Sequence, residues 1–176
     1  MWCVFSVLVG MVLSLIDDCM KIIAFHRRLN LKSPSTLNEK SLYLLLKNYR
    51  YNPLTTICAD KYLVRKYVED CGCKEILNEL YGVYDSQDEI DRDSTPEKYV
   101  LKCNHGCAYN IINNGSTTIN RDESVIIMRK WMKDNYWKST SEVHYRDIPK
   151  RIVCEKFLET PTNTLPEDYK IYFLQW

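Results

Sequence analysis

Glycine is scarce in this chain of 176 residues, with five, at positions 10, 72, 82, 106 and 115. So placed, they cannot make a GxxxxGKS/T phosphate loop or a GxGxxG dinucleotide fingerprint. A nucleotide bound by this protein is held by another device. Neither sign of charge is in excess: 24 Lys and Arg stand against 23 Asp and Glu, for a net +1. Such a balance gives no general electrostatic argument for nucleic acid or an anionic membrane. No apolar run reaches the ~20 residues of a membrane-spanning helix. Repeats and low-complexity tracts are absent. What is there is ordinary for a globular chain: 45% hydrophobic and 27% charged residues. That composition excludes whole-chain disorder, collagen and coiled coil, and it supplies a real core.

Two features stand out against this background. The eight cysteines lie at 3, 19, 58, 71, 73, 103, 107 and 154. Most sit in apolar stretches such as ICADKYLV and RIVCEKFL, where Cys acts as a small buried hydrophobe. Reduced thiols in a cytosolic protein are therefore expected. Cys71-Gly72-Cys73 lacks the CxxC spacing of a redox pair and reads as plain thiols. The second feature is the apolar run from Trp2 to Ile16, 15 residues with no positive charge before Lys21. It reads as a buried or partner-covered helix, giving a peripheral membrane or partner contact through residues 2–16. A membrane anchor or atypical signal and a later start at Met11 or Met20 are the alternatives.

Thr36-Leu37-Asn38-Glu39 is a capping box, predicting a helix from Leu37 to about Tyr49 that ends at Asn52-Pro53. A second amphipathic helix is expected over about 55–70, with Gly72 just past its end. KEILNELYGVYD reads as a strand approaching a turn at Gly82. The stretch from Asp85 to Lys98 carries six acidic residues and no aromatic one. It reads as an exposed connector holding at most one turn of helix. KYVLKC and YNIIN are strand candidates joined by the HGCA turn, and Asn114-Gly115 is a further turn. Asn120 to Glu123 resembles another capping box, opening a helix with Val125, Met128, Met132 and Tyr136 on one stripe. PKRIVCEKFLE is a third strand, TPTNTLPEDYK a loop, and IYFLQW the start of a last strand. The expected division is 1–24, an apolar segment; 25–97, a helical region; 98–160, strands plus helix; and 161–176, the start of a further part. A strand that opens at the last residue suggests that part of a domain is missing.

Several residues could carry chemistry. Lys102 closes a strand before a glycine turn, where its charge and the turn amides can hold a phosphate. A strand-ending lysine is more often an ordinary solvated surface residue. Cys103, His105 and Cys107 are close enough in sequence to suggest a metal, but a second ligand pair is not apparent. Lys61 and Arg65 lie one turn apart and can point the same way, or form a solvated face with Asp60 and Glu69. Glu155 to Glu159 closes a strand whose edge can offer backbone groups to an adenine, with Phe157 or Leu158 against the ring. An ordinary core strand is the plainer reading.

Taken in order, LNLKSPSTLNEK, ADKYLVRKYV, YVLKCNHG, RIVCEKFLE and LPEDYKIYF resemble the TupA-like ATP-grasp family, from about Phe25 to Phe173. The first and third of these motifs are the specific ones. The resemblance implies an α/β (α+β) ATP-grasp fold, with an N-terminal helical region and a central lid subdomain of antiparallel strands plus a helix. It implies ATP as the bound nucleotide and magnesium as its metal. It also implies a ligase that activates a carboxylate and passes it to an amine, in cell-surface polysaccharide biosynthesis. The substrate would be a polysaccharide precursor or amino-acid-like molecule. A glycosyltransferase, the label often given to such proteins, and a non-catalytic interaction module are the alternatives; no DxD-like metal motif near a strand end supports the former.

By the same resemblance Lys61 and Lys102 are the two phosphate-contacting lysines, and His105, Gly106 and Cys107 belong to the flap over the phosphates. Glu155, Lys156 and Leu158 form the adenine hinge, through the backbones of Lys156 and Leu158. Lys170 is a further candidate for phosphate or substrate. The sequence departs from the family pattern twice. Cys107-Ala108 stands where Ser-Gly is usual, and the part that would bring acidic and Asn ligands for magnesium does not follow. A truncated, weakly active or inactive member is the expectation, cytoplasmic or membrane-associated.

Overall fold

The computed structural model describes residues 29–91, 95–115, 120–140, 142–160, 166, 167 and 169. The apolar head, the IYFLQW strand and Lys170 lie outside the described residues. The chain forms two compact units: residues up to 57 with 135–147, and residues 58–134 with 148 onward.

In the first unit the capping box forms as expected. Helix α1 spans Leu37–Lys47, and Thr36 Oγ1 accepts from Glu39 N at 3.4 Å. The Glu39 carboxylate reaches back to Thr36 N and Ser35 N at 3.0 Å and to Asn30 N at 3.1 Å. It therefore folds the approach segment onto the helix start. The helix stops two residues before Tyr49, and Tyr49–Tyr51 form a tighter 3-10 turn. Asn52 Oδ1 then accepts from Leu54 N, and Pro53 opens helix α2, Pro53–Ala59. Proline fits there because a first helical residue has no N–H bond to lose. A short helix at Tyr136–Thr140 and a 3-10 turn at Val143–Tyr145 complete this unit, with the Tyr136 and Tyr145 rings edge-on at 5.3 Å.

The second unit opens on a break. Instead of one helix over 55–70, α2 ends at Ala59 and α3 spans Leu63–Asp70. Asp60 causes it: its Oδ1 accepts from Tyr62 N at 2.8 Å and Leu63 N at 3.3 Å. A short side chain that bonds its own backbone competes with the helix ladder. At the far end, Gly72 adopts φ +77° and donates to Glu69 O, while Cys73 N donates to Val68 O. This is the Schellman stop that its position predicts.

Four antiparallel strands follow: β1 Leu80–Tyr84, β2 Tyr99–Cys103, β3 Asn110–Asn113 and β4 Ile152–Lys156, in the order β1-β4-β2-β3. Gly82 lies inside β1, not at a turn. The register shifts beside it, and a Cβ there would strike the Tyr84 ring. The acidic stretch connects β1 to β2 of this one sheet. It holds a 3-10 turn at Gln87–Glu89, yet it is not wholly exposed, because Ile90 is buried in the core.

Helix α4, Arg121–Lys133, begins under Asn120, whose Oδ1 accepts from Asp122 N and Glu123 N. It lays Met128, with Trp131 and Met132 beside it, on the sheet face carrying Leu101, Cys103, Ile152 and Cys154. Met128 and Ile152 are almost wholly buried, and side chains of this size contribute ~1.5–3 kcal/mol each when removed from water. Tyr136 falls beyond the end of α4, outside the expected stripe.

The Glu39 network makes a pH prediction. Backbone N–H groups of Asn30, Thr36 and Ser35 hold its carboxyl down, from an ordinary 4.5 to about 2. A depressed folded-state value contributes stability above 4.5 that is lost as pH falls toward 2. Denaturant unfolding across that window is expected to show a shallower loss of stability in Glu39→Gln than in the unchanged chain. Identical slopes would contradict the network.

Candidate functional site

Strand alternation separates core from site. In the β2–β4 register Leu101 faces Cys154 and Cys103 faces Ile152, all on the core side. Val100 faces Glu155 and Lys102 faces Val153 on the other side. Lys102 and Glu155 are thus diagonal neighbours, within reach across the strands. Lys102 Nζ meets Glu155 Oε2 at 2.6 Å. Arg65, on α3, reaches the other carboxylate oxygen through Nη1 at 3.1 Å, and its Nη2 donates to Asn78 O at 2.5 Å. Glu155 is buried, so it holds two cations in a place poor in water.

Lys61 sits in the break between α2 and α3. Its Nζ donates to Cys103 O at 3.1 Å and Gly106 O at 2.5 Å. An ammonium has three donors, so one remains for a further acceptor. Burial pushes the Lys61 ammonium below its usual range and Lys102 adds to this, against the pull of Cys107, Cys103 and Asp60.

The loop from β2 to β3 is clasped by these groups. Asn104, His105 and Gly106 are buried, while Cys107 and Ala108 are exposed. His105 Nε2 pairs with Trp131 O at 2.9 Å, and burial lowers the pKa of the ring. Its Nδ1 is buried without a partner, and the ring stands edge-on to Tyr109, which stacks on Trp131. His105 is therefore turned into the fold, and Cys107 carries the exposed tip. Ala108 takes φ +61°, the left-handed conformation that favours glycine. The backbone keeps the shape a glycine would give, at a cost for alanine of roughly 1–2 kcal/mol.

At the other end of β4, Lys156 N donates to Glu79 O at 3.0 Å and Lys156 O accepts from Asn78 Nδ2 at 2.8 Å. Its side chain pairs with Glu79 at 3.2 Å. Both backbone groups of Lys156 are thus engaged. Leu158 is half exposed, and among the described residues its backbone makes no hydrogen bond.

The structure brings together Lys61, Lys102, Gly106 and Glu155, with Cys107 close enough to act on the Lys61 charge. It adds three residues that the sequence reading had set aside or missed. Arg65 is an ion-pair partner, not part of a solvated face. Asp60 is wholly buried, and so is Asn104, which donates to Asp60 Oδ1 at 3.0 Å. The only sequence signal for the last two was adjacency, Asp60 to Lys61 and Asn104 to the Lys102 strand end. Among the described residues, no group of three or more His, Cys, Asp or Glu could hold a metal ion, and no helix is long and apolar enough to cross a membrane. Of the described cysteines, Cys103 and Cys154 are buried free thiols, whereas Cys58, in the apolar ICADKYLV stretch, is exposed.

An antiparallel sheet with a helix on one face and Lys102 on the other makes the class an α+β protein. The family model "TupA-like ATPgrasp" matches residues 40–175, most of the chain, and the chain belongs to that family. No curated protein and no solved structure matches it significantly.

Removing Glu155 leaves Arg65 and Lys102 facing each other with little water. Glu155→Ala is expected to cost about 3 kcal/mol of unfolding free energy, read from the denaturant midpoint. Lys98→Ala, which breaks the exposed pair with Glu159, is expected to leave that midpoint nearly unmoved. Similar midpoints for both variants would contradict the buried role of Glu155.

Proposed function

We propose that the second unit binds ATP, with the phosphates against Lys61 and Lys102 and the adenine at the strand end near Leu158. One observation carries the reading: Lys61 bonds the β2–β3 loop, Lys102 leads into it and Arg65 shares Glu155 with Lys102, so three cations stand against two carboxylates, Asp60 and Glu155. The excess positive charge and the unspent Lys61 donor suit an incoming anion. Lys156, opposite Tyr99, ends the β2–β4 register on one side, and Lys102, opposite Val153, lies one pair short of the other end. That length of strand leaves room for a ribose between base and phosphates. The base would use Leu158 more readily than Lys156, whose backbone groups already have partners.

The reaction class that family membership supports is that of a carboxylate–amine ligase in cell-surface polysaccharide biosynthesis. The substrate carboxylate takes the terminal phosphoryl group as ADP leaves, and an amine nitrogen then displaces the phosphate. Lys61 and Lys102 would offset the charge that builds up during the first step. No step is assigned to magnesium, whose ligands are not apparent among the described residues. We read the turnover as low, for two reasons. Glu155 already neutralises Lys102, and Ala108 stiffens a loop that glycine would leave mobile.

Calorimetric titration with ATP and with adenosine tests this. The unchanged chain is expected to bind ATP more tightly than adenosine. Lys102→Ala is expected to lower ATP affinity about tenfold, in line with the loss of one charged hydrogen bond, and to leave adenosine unaffected. ATP affinity that is the same in both proteins would overturn the phosphate assignment.

A further inference from the structure

We infer that Asp60 and Asn104 form a positioning clamp that sets the two phosphate-facing lysines relative to each other. The inference rests on the nucleotide reading above and deepens it. Both residues are wholly buried. Asp60 Oδ1 gathers Tyr62 N, Leu63 N and Asn104 Nδ2, at 2.8, 3.3 and 3.0 Å. Asn104 spends its amide on two other segments. Its Nδ2 donates to Asp60 and to Pro149 O at 2.8 Å, while its Oδ1 accepts from Arg151 N at 2.7 Å. Its own backbone N–H donates to Arg151 O at 3.0 Å. One side-chain pair thus ties the helix break, the β2–β3 loop and the entry to β4.

The lysines stand at the two arms of this clamp. Lys61 follows Asp60 directly, and Lys102 precedes Asn104 by two residues. The remaining carboxylate oxygen, Asp60 Oδ2, is buried with no hydrogen-bond partner. A fold does not keep a bare carboxylate oxygen inside for packing alone, since an unpaired buried charge costs stability. Placed one residue from Lys61, that charge favours the ammonium form against burial and against Lys102. Cys107 and Cys103 are the other groups acting on Lys61 in the same sense.

Asp60→Asn keeps the acceptor that caps α3 and removes the charge; Asn104→Ala keeps the charge and cuts the clamp. Two readouts separate this proposal from the nucleotide reading. The first needs no ligand: the titration of Lys61, followed by NMR of the labelled side chain in the full chain. Asp60→Asn is expected to lower the Lys61 midpoint. The second is the ratio of ATP to adenosine affinity, expected to fall about tenfold in Asn104→Ala with adenosine affinity unchanged. A Lys61 midpoint unmoved by Asp60→Asn, or an affinity ratio unmoved in folded Asn104→Ala, overturns the clamp. Should the unchanged chain bind no ATP, the nucleotide reading fails, and the Lys61 titration still decides whether Asp60 governs that lysine. If Asp60→Asn does not fold, the affinity ratio in folded Asn104→Ala decides, a fall supporting the clamp and an unmoved ratio overturning it.

Discussion

The pairing of β2 with β4 is the constraint on which the second unit depends. Its register sends Leu101, Cys103, Ile152 and Cys154 to one face and Lys102 and Glu155 to the other. A slip of one residue would put the charges into the core and the apolar set into water. Helix α4 fixes the choice, because Met128, Trp131 and Met132 need an apolar face to cover. The site geometry is thus a by-product of core packing. The same burial that stabilises the sheet also orients the lysine that faces away from it.

Electrostatics then shape what the packing has placed. Glu155 binds two cations and cannot be removed cheaply, since its loss strands both. Lys61 is held by carbonyls, which orient an ammonium without cancelling its charge. The two lysines are therefore unlike each other. Lys102 is paired with Glu155, whereas Lys61 meets only carbonyls and keeps a free donor at the loop. An anion arriving at this loop would meet Lys61 first and would compete with Glu155 for Lys102.

Much of the local structure was legible in the sequence because it rests on short-range rules. The Thr36–Glu39 box, the Gly72 stop, the Asn120 cap and the three strands after residue 98 all form near where their residues predict. The misreadings share a cause, which is that a side chain or a distant strand outweighed local pattern. Asp60 broke an apparent helix by bonding its own backbone. Gly82 reads as a turn residue but serves as the flat spot under the Tyr84 ring, and its strand is recruited by β4 from far along the chain. Ile90 looked like part of an exposed acidic run, yet the sheet and α4 left a space that it fills. At the site, local pattern offered Lys61 and Lys102 only beside plainer surface readings, and resemblance to a family pointed to them together. Arg65 pairs with a residue 90 positions away, and no periodicity could show it.

The most direct test is amide hydrogen exchange of the full chain with and without ATP. The account predicts added protection at residues 60–62, 103–108 and 156–158, the loop and strand ends around the two lysines, with α1 unchanged. Exchange that ATP leaves unaltered at those segments, or protection confined to other parts of the chain, would contradict it.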